Sequence, residues 1–94
     1  MHVKWTSNAR RDLFSVEAFI SRDNPTAAIE TVMKIIEAVE SLSSHSNMGR
    51  PGRVPDTREL VIPGLPFIIP YSVSKSSIVI LRVHHTSRKW PDQL

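Results

Sequence analysis

Apolar and polar positions alternate at the start of the chain. Val3 and Trp5 stand among His2, Lys4 and Thr6, the period of a short strand with one buried face. The period then changes. Leu13, Val16 and Ile20 recur at helical spacing behind a cap at Ser7 or Asn8, with Arg10, Arg11, Asp12 and Glu17 expected on the solvent side. Asp23-Asn24-Pro25 closes this helix and opens a second, with Asn24 as cap and Pro25 in the first turn, where its missing N–H costs nothing. The second helix is the most regular element. Ala28, Val32, Ile35, Val39 and Leu42 form a stripe that Ile36 widens, and Glu30, Lys34, Glu37 and Glu40 lie outside it. So short a break predicts an antiparallel helical hairpin.

Between Ser43 and Thr57 the residues Gly49, Pro51, Gly52 and Pro55 predict neither helix nor strand. Three strands follow: Arg58 to Ile62, Phe67 to Val73 and Ile78 to His84. They are separated by Pro63-Gly64-Leu65-Pro66 and Ser74-Lys75-Ser76-Ser77, turns short enough for an antiparallel meander. Pro70 lies inside the middle strand and has no N–H to donate, so it should face a sheet edge or a bulge. Trp90 should pin the tail, Thr86 to Leu94, to the body. The order β-α-α-β-β-β predicts an α+β fold, a single domain over residues 1–94 with an antiparallel sheet packed on an N-terminal helical hairpin.

Composition narrows the chemistry. The 94 residues include no cysteine, which excludes disulfides, thiolate metal sites and a cysteine nucleophile. No apolar run is long enough to span a bilayer, and Met1 to Arg11 lacks a signal-peptide core, so a cytoplasmic protein without a membrane partner is expected. The net charge is +3, unevenly placed. Residues 1–49 carry five Lys/Arg against six Asp/Glu, and residues 50–94 carry seven against three. The positive potential belongs to the second half, and it permits an anionic partner.

Several segments in that half carry a resemblance: Gly49-Arg50-Pro51-Gly52-Arg53, Thr57-Arg58-Glu59-Leu60-Val61, Pro66-Phe67-Ile68-Ile69-Pro70-Tyr71, and Leu81-Arg82-Val83-His84-His85 with Arg88 and Trp90. Together with Trp5, Asp12-Leu13 and the Asn24-Pro25 helix start, the chain resembles the RelE/ParE toxins from about Val3 to Pro91, and the wording is closer to the ParE side. The resemblance implies a toxin of a type II toxin–antitoxin system, of the kind that serves plasmid stabilisation or growth inhibition. Its cognate antitoxin would wrap a helical segment around it and would provide the only route to operator DNA. Two targets are implied: DNA gyrase for ParE-like members, and the ribosome with its messenger RNA, cleaved endonucleolytically, for RelE-like ones.

Strand parity sorts the candidate residues. In the last strand Ile78, Ile80, Arg82 and His84 share one face, while Val79, Leu81, Val83 and His85, the more apolar set, are expected to face the helices. Arg82 would then stand on the open face. Arg58, Leu60 and Ile62 share a face opposite Glu59 and Val61. Arg50, Arg53, Arg58, Arg82 and Arg88 are the candidates for a cationic target- or phosphate-binding surface, since guanidinium forks match phosphate oxygens. If the chain is a ribonuclease, Arg82 and Arg58 would stabilise the phosphorane and His85, His84 or Tyr71 would move the proton. The plainer alternatives are an exposed Arg58–Glu59 pair, a solvated turn at Gly49–Arg53, and histidines that only pack. Glu59 is the sole carboxylate in a position to serve as a base, and parity points it away from Arg58. No metal ligand spacing links His2, His45, His84 and His85, and no cofactor is implied.

Overall fold

The computed structural model describes every residue from Met1 to Leu94. Strand β1 (His2–Trp5) leads into helix α1 (Ser7–Ser21), which is followed by α2 (Pro25–Ser41). Asn24 caps α2 as expected, its side chain accepting from the Ala27 N–H at 3.0 Å. The cap of α1 is Thr6 rather than Ser7 or Asn8. Its hydroxyl accepts from the Ala9 N–H at 3.1 Å and donates to the Leu81 carbonyl at 3.0 Å, so one side chain ends the strand, starts the helix and ties both to the far end of the chain.

The expected loop 43–57 contains one short strand. Arg50–Pro51, β2, pairs antiparallel with β3 (Arg58–Val61) in the register Arg50↔Glu59 and Pro51↔Arg58. Proline is tolerated there because β2 is an edge strand. Strands β4 (Phe67–Val73) and β5 (Ser77–Ile80) continue the meander, and β6 (His84–His85) pairs with the start of β4. The sheet order is β1-β5-β4-β3-β2. The sheet is mixed rather than wholly antiparallel, because β1 runs parallel to β5. The long connection between them, which holds both helices and strands β2 to β4, makes that direction possible.

The last strand is interrupted, and Pro70 explains where. Tyr71 is level with Ile80, but Ile68 is level with His84, so Leu81, Arg82 and Val83 oppose only Ile69 and Pro70. The extra residue is a bulge. The Pro70 carbonyl accepts from the Leu81 N–H at 2.9 Å, which directs its missing N–H toward the same strand; the regular ladder cannot continue there.

The bulge shifts the phase of the side chains. Before it, Ile78 and Ile80 enter the core; after it, Val83 does. The expectation that Val79 shares the buried face is therefore overturned, because simple alternation does not survive the inserted residue. The core lies between the helices and one face of the sheet, with Ala9, Ile35, Val39 and Leu42 meeting Leu60, Ile62, Phe67, Ile69 and Tyr71. Ile36 is exposed and does not widen the buried stripe. Truncating Ile80 to alanine should cost about 2–5 kcal/mol in urea unfolding, and truncating Val79 clearly less. Equal losses would contradict the phase shift.

Candidate functional site

Arg82 does not stand on an open sheet face. Its Nε and Nη2 meet Asp12 Oδ2 and Oδ1 at 2.7 and 3.1 Å, a two-pronged pair that spans 70 residues of sequence. Asp12 Oδ2 also accepts the Val83 N–H at 3.0 Å, a donor that the bulge leaves without a strand partner. Hydrogen bonding to Asp12 raises the Arg82 pKa, against the opposing effect of burial. Asp12 was expected on the solvent side of α1 and is instead half-buried. A signal for this was present, since Asp12 lies three residues after Ala9 and four before Val16, within reach of the buried stripe.

The other arginines go to separate places. Glu59 is 3% exposed on the sheet face away from the helices, and it collects two of them. Its Oε1 accepts from Arg50 Nη2 at 3.1 Å, while Oε2 takes the Arg53 backbone N–H at 2.9 Å and lies 3.5 Å from Arg53 Nε. Burial alone would raise the Glu59 pKa; the Arg53 N–H and the Arg50 guanidinium outweigh it, and the pKa falls below the ordinary value. The alternative of an exposed Arg58–Glu59 pair is not realised, and the two side chains take opposite faces as parity predicts. Arg58 points to the helix side, where its Nη1 donates to the Gly49 carbonyl at 2.7 Å.

Tyr71 is fully buried. Its hydroxyl accepts from the Gly49 N–H at 2.9 Å and donates to the Ser46 carbonyl at 2.8 Å, so both hydrogen-bonding roles are occupied in holding the α2–β2 connection. Glycine is required at 49, because a Cβ there would lie 2.6 Å from the tyrosine ring and hydroxyl.

The two adjacent histidines face opposite sides, as strand geometry requires. His84 packs edge-on against Trp90 with centroids 4.8 Å apart, and the Arg53 guanidinium stacks 3.8 Å above the same indole. Trp90 thus pins the tail as expected, by its ring faces; its buried indole N–H makes no hydrogen bond. His85 sits edge-on to Phe67 at 5.2 Å, and its Nδ1 lies 2.7 Å from Ser87 Oγ. Burial lowers the His84 pKa, helped by the charges of Arg53, His85 and Arg82.

Of the candidates, Arg82, His84, His85 and Arg88 come together along a groove of about 590 Å³ between α1 and the end of the sheet. Arg50, Arg53, Arg58 and Tyr71 do not line it. Residues not foreseen for the site do, among them Asp12, Phe19 and Lys89. Phe19 is 66% exposed, a large apolar group facing water where its helix stripe leaves the core. No three His, Asp or Glu side chains are close enough to share a metal ion.

Fold and site together define a small α+β protein whose accessible chemistry is cationic and apolar, suited to a macromolecular partner. Residues 3–90 match the family model described as the ParE toxin of the type II toxin–antitoxin system parDE. The chain is 42% identical over 92 residues to a putative toxin, Y4kP, of Sinorhizobium fredii, covering 98% of this chain and 95% of that protein. It is 30% identical over 80 residues to Toxin RelE3 of Caulobacter vibrioides, covering 83% and 86%. A solved structure of the chromosomal ParDE system of P. aeruginosa superposes with a TM-score of 0.81 at 33% identity, over 90% of this chain and 95% of that one. The chain belongs to the ParE family of type II toxin–antitoxin toxins. Membership implies a cognate antitoxin as its partner. No helix is long and apolar enough to cross a membrane.

The depressed His84 pKa has a consequence for stability. The folded chain binds this proton less readily than the unfolded chain does, so the His84 contribution is fully present above the unfolded value, about 6.5, and is lost as pH falls through the lower folded value. Urea midpoints should drop between pH 7.5 and pH 5, and His84→Gln should flatten that slope. A variant with an unchanged slope would contradict this role for His84.

Proposed function

We propose that this toxin acts in the ParE manner, binding DNA gyrase and trapping its cleaved DNA without itself breaking a bond. The observation that supports this most directly is the state of the acid–base candidates. Glu59 is buried between two arginines with a lowered pKa, Tyr71 has both hydroxyl roles occupied in the core, and Asp12 is clamped to Arg82. A general base needs a carboxylate or imidazole free to take a substrate proton, and both carboxylates are already committed to guanidinium and backbone N–H donors. Arg50 and Arg53 remain about half exposed on the outer face, at 54% and 51%, with guanidinium edges that can meet an anionic or carboxylate-bearing partner. Arg88 does the same in the groove, while Arg58 and Arg82 serve as braces.

The antitoxin reading uses that groove. Arg88 and Lys89 stand beside Phe19, Ile20 and Leu65, a lining that suits a segment with acidic residues on one side and apolar residues on the other. Reversing both cations, Arg88→Glu with Lys89→Glu, should weaken antitoxin binding at least tenfold and remove much of its salt dependence in titration calorimetry. Unaltered affinity at low salt would place the antitoxin elsewhere.

The gyrase reading is tested with purified toxin and supercoiling assays. Supercoiling should be inhibited and linear or nicked DNA should accumulate; normal supercoiling at excess toxin would refute the proposal. One observation favours a second reading, a ribosome-dependent endoribonuclease: His85 shares its groove with Arg82, Arg88 and Lys89. Codon-positioned cuts in messenger RNA after toxin induction, with His85→Ala abolishing them, would select that alternative.

A further inference from the structure

Helix α1 carries a second stripe toward its outward side, of which Leu13 alone also packs against the core. Arg10, Leu13, Phe14 and Glu17 follow at the i, i+3, i+4, i+7 spacing of one helix face, and all four line an apolar groove of about 380 Å³ completed by Trp5, Val32 and Ile36. Phe14 is 71% exposed at its centre, and Ile29, Met33 and Ile36 extend the apolar surface along α2. Four large apolar side chains exposed on one helical hairpin of so small a protein point to an interaction surface. Its charges narrow the choice of occupant. Arg10 and Glu17 lie at opposite ends of the stripe, roughly 10 Å apart along the axis, and neither has a salt-bridge partner in its own chain.

The arrangement is complementary to itself. When two copies of α1 cross antiparallel about a two-fold axis midway between Leu13 and Phe14, each Arg10 is level with the other copy's Glu17, and each Phe14 faces the other copy's groove. A two-fold interface demands this reciprocity, in which a residue meets a second and the second meets the first. We propose that the toxin free of antitoxin forms a homodimer through this face, with Phe14 at its centre and two Arg10–Glu17 pairs at its rim. The dimer covers the apolar hairpin surface that a lone toxin exposes to water.

Sedimentation velocity on the full chain without antitoxin provides the test. The native chain should show a concentration-dependent monomer–dimer equilibrium, and Phe14→Glu should shift it to monomer with an unchanged far-UV spectrum, since this side chain lies outside the core. Arg10→Glu and Glu17→Arg should each weaken the dimer about tenfold, because each reversal turns two attractive contacts into two repulsive ones. Mixed together, those two variants should associate with each other. In the mixed pair the two introduced charges face one another at one rim, and the native Arg10 and Glu17 face one another at the other. No effect within one chain can produce that recovery. A native chain that stays monomeric throughout, a dimer indifferent to these substitutions, or single variants that fail to recover on mixing would each overturn the proposal. Loss of antitoxin binding by Phe14→Glu, with the free native chain monomeric, would assign the face to the antitoxin instead.

Discussion

One absent hydrogen, the N–H that Pro70 lacks, organises the functional end of this molecule. A strand pair repeats every two residues only while each backbone group finds its partner. At Pro70 a donor is missing toward β5, and the facing strand inserts one residue before pairing resumes at His84. Ile78 and Ile80 stay in the core, and Val83 returns to it on the other side of the break. The bulge frees the Val83 N–H and turns Arg82 toward α1, and Asp12 accepts from both. A backbone defect in the sheet is thereby satisfied by a helix side chain, and the two layers are joined at the mouth of the larger groove.

A second organising group is the Glu59 carboxylate. Burying a charge is costly unless it is paired and hydrogen-bonded, and Glu59 meets that condition with two guanidinium groups and a backbone N–H. The same contacts fold the Gly49–Arg53 segment against β3. Arg53 then reaches Trp90, and Trp90 reaches His84, so a chain of contacts runs from the sheet through the loop to the tail. The outer face is consequently occupied rather than bare. Much of the positive charge that gives the second half of the chain its excess is bound to carboxylates inside the fold. What remains for partners is the half-exposed edge of Arg50 and Arg53, the Arg88–Lys89 pair, and the apolar surfaces of the hairpin.

The helices were readable because their signals are local. Asn24 and Pro25 mark a start within two residues, and Ala28, Ile35, Val39 and Leu42 repeat at the helical period. The meander from Arg58 to Ile80 was readable for a similar reason, since short turns leave consecutive strands little choice but to pair. The antitoxin-partnered family was readable from the order and wording of several segments. The parallel placement of β1 against β5 was not, because no residue in His2–Trp5 carries information about a strand seventy-five residues away.

The sequence by itself determined the two helices, the first strand and the main strands of the meander, the identity of most of the core and the family, because capping, periodicity and turn chemistry act over a few residues. Only the tertiary structure decided which arginines are braces and which are free. Arg82 and Asp12 are 70 positions apart, and their meeting depends on a one-residue phase shift that alternation cannot carry across a bulge. The distinction between a displayed charge and a neutralised one is therefore a property of the folded chain, set by which carboxylates the fold brings within reach.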